Sequence, residues 1–476
     1  MDRVAAPESP DTPTSPAGDT AAFRALLTDE GQRLLAELRD YDPADELALA
    51  TRLRRDHSLG LVSAALGQAR LRQRAVAKFG PVDAGRMYFT PDGVEQATRS
   101  GVAAYRAGRL AGWGVRHVAD LCCGVGGDAI ELARAGVEVL AVDRSPLTCA
   151  VIEANAAALG LDGRIEVRCA DVTAVDVSGF DAVFVDPARR GGRGRVFDPE
   201  AYSPPLSWAI EAARRVPRAA LKLAPGVPHE ALPADAEAEW ISVAGEVKEA
   251  VLWFGTGGTG EAGRLGGSGD SGGPVVGATK PGGSGGTSGS GSSGSSGSEG
   301  GPGSPGSPDD AGGSGRPGDT GGSGSTAGTV RATLLPGGHS LVCGPLPAPP
   351  VGPVGRYLYE PDGAVIRAHL VAEVARRLDG RLIDATIAYI TADDLRSTPF
   401  ARAYAVTDVL PFHVKRLRAL LRERNVGTLT VKKRGSAVDP QELRRRMRLS
   451  GTGAATVFLT RVAGAPTMLL AEPVAP

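Results

Sequence analysis

The chain has 476 residues, 54 acidic and 53 basic side chains for a formal net charge of −1, and a hydrophobic fraction of 42%. This length allows two or three domains with true cores, and the near-neutral balance excludes a globally polycationic nucleic-acid binder. No apolar run approaches the ~20 residues of a membrane helix.

The first residues are acidic and rich in Pro, Ser and Thr, where an export signal needs positive charge and then an apolar stretch, so a cytoplasmic location is expected. Residues 1–20 read as a disordered tail and 21–85 as a helical region. Asp42-Pro43 is a cap followed by Pro at the first helical position, with Leu47, Leu49 and Leu53 as the apolar side. A second helix from about Ser58 carries Arg70, Arg72, Arg74 and Lys78, either a solvated face or a secondary nucleic-acid contact.

Residues 86–345 read as an α/β domain. Apolar strand candidates Val118–Cys122, Val137–Asp143, Ile165–Asp171, Asp181–Asp186 and Ala219–Ala224 alternate with helical stretches, the pattern of a parallel, doubly wound sheet. Trp240–Val243, Lys248–Phe254 and Arg331–Leu335 complete its far edge. Between the last two lies a foreign composition, residues 256–328, which hold 30 of the 66 glycines mixed with Ser, Pro and Thr. Such a segment buries too little apolar surface to fold and reads as a disordered insertion in a hairpin-like connection. A third unit, 356–476, is a small α/β domain with helix Val365–Leu378, strand Ala401–Val409, helix His413–Arg424, strand Gly427–Lys433, helix Pro440–Met447 and strand Ala455–Arg461.

The most informative stretch is His117–Ile130. A strand leads to Asp120, a turn carries Gly124, Gly126 and Gly127, and an apolar helix begins at Ala129. Glycine lets backbone amides approach a ligand, and the helix start favours negative charge. Gly124-x-Gly126-x-x-Ala129 also satisfies the dinucleotide pattern, so NAD is one reading. S-adenosylmethionine (SAM) is favoured by a run of acidic strand ends. Asp120 can accept from loop amides or a cofactor amine. Asp143, 23 residues on, can take both ribose hydroxyls, and Asp171 an adenine amino group. Asp186 follows at a fourth strand end. Ligands bind at this carboxyl edge of open α/β sheets; for any one of these residues a helix cap or loop anchor is the alternative.

These motifs resemble class I SAM-dependent methyltransferases. Asp120-Leu-Cys-Cys-Gly124 and the following glycines are similar to the glycine motif of the trimethylguanosine synthase branch, Val-Leu-Ala-Val-Asp143 to the ribose motif, Cys-Ala-Asp171 to the adenine motif, and Val-Phe-Val-Asp186-Pro-Ala-Arg-Arg190 to the substrate-side motif. Tyr88-Phe-Thr-Pro-Asp-Gly93 resembles the helix that covers the cofactor, with Thr90 as its cap. The whole layout is similar to a bacterial methyltransferase family with a C-terminal THUMP-like domain, through Tyr359-Glu-Pro-Asp362 and Val431-Lys-Lys-Arg-Gly435. The resemblance implies a Rossmann-like methyltransferase sheet between N-terminal helices and a small α/β domain. It also implies SAM as cofactor and structured RNA as partner.

Methyl transfer from a sulfonium chiefly needs alignment and exclusion of water. An acceptor beside the incoming nitrogen orients its lone pair and helps remove a proton. Asp186 is the candidate for that acceptor, and Pro187 can add its carbonyl. In enzymes with Asn/Asp-Pro-Pro-aromatic the same arrangement methylates amino groups; here Ala188 replaces the second Pro and Arg189 the aromatic. Arg189 and Arg190 can fork onto a substrate phosphate or brace the loop. Lys222 ends the fifth strand, as a structural lysine or one that reaches the substrate. No cysteine follows that strand where carbon-methylating RNA enzymes carry one. The five cysteines lack C-x-x-C spacing and read as reduced thiols, with no metal expected.

From Phe412 to Ser450 there are twelve Lys or Arg and three Asp or Glu. Such a window neutralises phosphates, and Lys432, Lys433 and Arg434 at a strand end are the candidate RNA contacts. A solvated surface is the alternative. tRNA or rRNA is the expected substrate, methylated at a nucleobase. The rivals are a methyltransferase for a small molecule or protein, and a non-catalytic RNA binder on a degenerate methyltransferase fold.

Overall fold

A computed structural model of the chain describes residues 16–188, 190–191, 194–195, 198–255, 328–344 and 346–474. The start of the expected tail, nearly all of the glycine-rich insertion, and Arg189, Gly192 and Arg193 lie outside the described residues, as does the Arg190 side chain.

Six helices open the chain: α1 (Pro16–Leu26), α2 (Asp29–Glu37), α3 (Glu46–Leu53), α4 (Leu59–Arg86), α5 (Pro91–Gln96) and α6 (Ser100–Gly112). Helix α1 thus begins inside the stretch read as tail. Asp42 caps a 3-10 turn over Pro43–Asp45 and α3 starts one residue later. Its buried residues are Ala50 and Leu53, while Leu47, expected on the apolar side, points to solvent at 80% exposure. The Ser58 hydroxyl accepts from Leu61 N at 3.3 Å and starts α4. That helix breaks at Gly80, whose φ of 75° lies in the left-handed region just before Pro81.

Strand β1 (His117–Leu121), helix α7 (Gly127–Arg134), β2 (Glu138–Asp143), α8 (Pro146–Leu159), β3 (Ile165–Cys169) and β4 (Ala182–Val185) follow. A two-residue ribbon, β5 (Arg190–Gly191) and β6 (Gly194–Arg195), leads to α9 (Leu206–Arg214), β7 (Arg218–Leu223), β8 (Glu237–Val243), β9 (Glu246–Phe254), β10 (Val330–Leu335) and β11 (His339–Cys343). Nine strands form one sheet in the order β11-β10-β8-β9-β7-β4-β1-β2-β3. The five expected parallel strands are its β3-β2-β1-β4-β7 half, apolar because helices cover both faces. β9 runs antiparallel between β7 and β8. β10 pairs parallel with β8 and not with β9, so the insertion joins strands that are not neighbours. This corrects the hairpin-like reading: β8 already occupies the edge of β9.

The rest comprises β12 (Tyr357–Pro361), α10 (Gly363–Arg367), α11 (Val371–Leu378), β13 (Arg381–Asp384), β14 (Ile387–Ala392), β15 (Ala401–Pro411), α12 (Val414–Glu423), β16 (Val426–Lys433), α13 (Pro440–Met447), β17 (Gly453–Val462) and β18 (Ala465–Pro473). Their sheet has the order β13-β14-β12-β15-β18-β17-β16. The expected single helix Val365–Leu378 is two, broken at His369 (φ 57°). The break lets Ala364, Val365 and Ala368 on one piece and Val374, Ala375 and Leu378 on the other enter one apolar cluster with Trp240, Leu252 and Ala332 of the nine-stranded sheet. Beside it His229 stacks between Trp240 and His369, with ring centroids 4.7 and 3.8 Å away. Among the described residues no helix is long and apolar enough to cross a membrane.

Candidate active site

The carboxyl ends of β1, β2 and β4 set the site. After β1 the chain turns through three left-handed residues, Cys122 (φ 69°), Gly124 (φ 56°) and Gly126 (φ 86°). Cys122 is a cost to the backbone, since a side chain disfavours this region. Two amides, of Cys122 and Cys123, donate to the Val142 carbonyl at 3.0 and 3.1 Å. Gly124 N donates to Asp143 Oδ2 at 3.3 Å and Ser145 N to Asp143 Oδ1 at 2.9 Å. Burial pushes the Asp143 carboxyl above its ordinary range while these amides pull it back. A Cβ on Gly126 falls 2.7 Å from Ile152, whereas one on Gly124 meets nothing within 4 Å. Gly126 is thus required by packing as well as by φ, and Gly124 lies on open space. Gly127 begins α7 and completes the amide-lined turn.

The covering segment is tied to this turn. Thr90 caps α5, its Oγ1 accepting from Gly93 N at 3.0 Å. A Cβ on Gly93 lands 2.3 Å from a Val125 methyl, so only glycine allows α5 to lie this close to the turn. Thr90 therefore serves as a cap beside the site.

The other acidic strand ends divide. Asp171 is exposed; its Oδ1 accepts from both Thr173 N (2.9 Å) and Thr173 Oγ1 (2.6 Å), and these bonds lower its carboxyl. It acts as the local cap of a short 3-10 turn and keeps Oδ2 for other contacts. Asp186 is held by its amide on the Leu121 carbonyl at 3.2 Å, and its Oδ2 accepts from Lys222 Nζ at 2.5 Å. Lys222 is 3% exposed and also donates to Thr98 Oγ1 at 2.8 Å. Pro187 is buried, and the next residue, Ala188, bonds both ways with Ser203.

Beneath these lies a buried ionic cluster with no sequence expectation behind it. Arg106 on α6 pairs with Asp128 at the start of α7 and with Glu249 on β9, and donates to Thr98 Oγ1 at 3.3 Å. Burial opposes its charge, yet the two carboxylates raise its basicity. Asp120 is fully buried, and neither carboxyl oxygen has a hydrogen-bond partner among the described residues. Burial first, then the charges of Asp128 and Asp186, push its carboxyl well above the usual range. The one signal for this cluster was a lone charge inside an apolar run, as at Arg106 and Lys222.

In the second sheet, Leu417 and Leu421 of α12 and Leu443 and Met447 of α13 enter one core with Leu429 and Val431 of β16. The two helices touch through the Arg418 guanidinium on the Arg446 carbonyl. Their outer faces expose Lys415, Arg416, Arg422, Arg444, Arg445 and Arg448. The three cations at the end of β16 do not act alike. Lys432 pairs with Glu360 and lies 5.4 Å from the Tyr404 ring centre. Arg434 donates to the Ala388 carbonyl at 3.0 Å over the Tyr389 ring. Lys433 is exposed. The arginines of α4 are engaged as well: Arg70 with Glu46, Arg74 with Glu95, and Arg72 with the Met87 carbonyl.

Family models described as "Methyltransferase domain" and "THUMP domain-like" match residues 118–188 and 401–473, and a domain of unknown function matches 19–75. The chain is 30% identical over 406 residues to the uncharacterized S-adenosylmethionine-dependent methyltransferase Rv3037c of Mycobacterium tuberculosis, covering 82% of this chain and 90% of that protein. It is 33% identical over 81 residues, 16% of this chain and 18% of the other, to a 23S rRNA (uracil(1939)-C(5))-methyltransferase of Acidithiobacillus ferrooxidans. A solved structure of a methyltransferase from Porphyromonas gingivalis superposes with a TM-score of 0.64 at 18% identity, covering 91% of this chain and all of that one.

Proposed function

Because this chain belongs to the S-adenosylmethionine-dependent methyltransferases, we propose that its methyl acceptor is a nucleobase of structured RNA, tRNA or rRNA. When bound, SAM supplies a methyl group activated by its positive sulfonium. The residues at the sheet edge fit that group. The open side of Gly124, the amides that start α7, and an Asp143 carboxylate already ordered by two amides suit a ribose beside a charged methionyl end. Asp171 Oδ2 suits the adenine end, and Asp120 is a buried acid without a protein partner among the described residues. Thr90 acts from the cover, as the cap that sets α5 on the turn. Asp186 is the acceptor-side carboxylate, with the Pro187 carbonyl beside it, and Arg189 and Arg190 are the cations that meet a substrate phosphate.

The observation that carries the RNA reading is the paired outer face of α12 and α13 inside the THUMP-like region. Five exposed cations there stand on two touching helices whose apolar faces are committed to a core, and Arg448 follows just past α13. This spacing suits the backbone of a folded RNA, and the scarcity of aromatics between the cations argues against a single-strand stacking platform. The short match to a relative named for 23S rRNA methylation supports the same direction. A cytoplasmic location goes with such a substrate. Lys433 adds to this face; Lys432 and Arg434 contribute by shaping the strand end.

The test is binding of the full chain to bulk tRNA and to rRNA fragments over a salt series, with mass spectrometry of modified nucleosides in RNA from cells with and without the gene. Salt-dependent binding together with one lost methylated nucleoside is the expected result. An unchanged nucleoside profile overturns the RNA reading and leaves a small molecule or protein as acceptor.

A further inference from the structure

We propose that Lys222 is a positioning residue for methyl transfer: its ammonium, seated on Thr98, holds Asp186 as a carboxylate in one orientation, so that Oδ1 is kept for the reacting centre.

The geometry is specific. Lys222 emerges from the apolar strand β7, whose pairing with β4 brings Leu221 opposite Val185, so the two charged residues follow each other at the same sheet edge. Lys222 Nζ meets Asp186 Oδ2 at 2.5 Å and Thr98 Oγ1 at 2.8 Å. Asp186 Oδ1 has no protein hydrogen bond among the described residues. The Asp186 amide donates to the Leu121 carbonyl, one residue before the glycine turn, so this carboxylate is built onto the cofactor loop. Thr98 also accepts from Arg106 Nη2, which donates as well to Asp128 at the first turn of α7, while Nη1 donates to Glu249. A continuous polar chain therefore runs from the acceptor side, Asp186–Lys222–Thr98–Arg106–Asp128, to the helix that starts at the glycine turn.

The need for Lys222 follows from what surrounds Asp186. Asp120 from β1 and the Cys122 thiol lie near this carboxylate, and Arg106 is committed to Asp128 and Glu249. Among the described residues Lys222 is the cation that touches Asp186 directly. Without it, this half-buried carboxylate loses the positive partner that favours its charged form. A neutral carboxyl neither favours a sulfonium over a thioether nor accepts a proton from an incoming nitrogen.

The experiment is titration calorimetry of full-length protein with SAM and with S-adenosylhomocysteine from pH 5.5 to 9, using wild type, Lys222→Met and Lys222→Arg. These ligands differ at the sulfur by one methyl and one positive charge. The wild type is expected to prefer SAM with a ratio independent of pH. Lys222→Met should lose this preference at the acid end and regain it as pH rises. Lys222→Arg should restore the flat ratio. If Lys222→Met does not fold, Thr98→Val loosens the ammonium's seat and should show the same trend with smaller amplitude. Absence of a SAM preference in the wild type, or a variant ratio that equals wild type or is lowered equally at every pH, overturns the inference. It rests on Asp186 as the carboxylate at the reacting centre, and its readout, SAM against S-adenosylhomocysteine, stands apart from the identity of the acceptor.

Discussion

Asn155 grips the backbone of Tyr88 on both sides: its Oδ1 accepts from Tyr88 N at 2.6 Å and its Nδ2 donates to the Tyr88 carbonyl at 3.0 Å. Nδ2 also donates to the Val125 carbonyl at 2.9 Å. One fully buried amide on α8 thus joins the covering segment to the glycine turn. Asn155→Leu, close in volume, leaves three backbone groups without this partner. At ~1–3 kcal/mol for each buried orphan, a loss of about 3–5 kcal/mol of stability is expected, together with weaker SAM binding. Urea denaturation and calorimetry check the two effects.

Asp143 has two duties, since its oxygens order the amides of Gly124 and Ser145 and are proposed to meet the ribose. Asp143→Ala removes both. SAM affinity should fall roughly 10- to 100-fold, ~1.4–2.8 kcal/mol, with the melting temperature of the ligand-free protein changed much less. Unaltered affinity in calorimetry removes Asp143 from the cofactor site.

Glu373 on α11 accepts from Arg376 and Arg377 at 2.8–2.9 Å, and these bonds draw its carboxyl down to about 2. Because the folded value lies below the unfolded one, the stabilisation is present above the ordinary value of 4.5 and is lost as pH falls toward 2. Glu373→Gln should lower stability at pH 7, and the gap to wild type should narrow between pH 4.5 and 3 in denaturant titrations. A gap independent of pH contradicts the assignment.

Neighbouring lysines should separate fold from binding. Lys432→Ala strands the Glu360 carboxylate and empties the space over Tyr404, so it should reduce stability with little change in the salt slope of RNA binding. Lys433→Ala should leave stability within about 0.5 kcal/mol and lower that slope by ~0.7–0.9 if it meets one phosphate. Denaturation and salt-series binding on both variants give the comparison.

The parallel half of the large sheet was legible because β1, β2, β4 and β7 are near-continuous apolar runs bounded by turns and caps. Asp143, Asp171 and Asp186 were legible for the same reason: where a buried strand stops, a polar residue marks the edge, whereas Asp120 lies inside β1 and is fully buried. Periodicity failed where packing on two sides intervenes. The α10–α11 break needs the second surface to be seen, and Leu47 shares an apolar pattern with Leu53 but lies on the other face of its helix. Strands β12, β13, β14 and β18 passed unread because segments of this kind gain their stability from pairing and packing with neighbouring strands more than from their own residues.

By itself the sequence determined the glycine turn, the order of acidic strand ends and the basic window near the C-terminus. Each is a local matter of backbone freedom, strand length or charge density. Only the tertiary structure decided which of those charges are free. Lys222 was drawn onto Asp186, Lys432 onto Glu360 and Arg106 onto two carboxylates, because a charge removed from water must find its partner in space, and the partners stand 22 to 143 residues away along the chain.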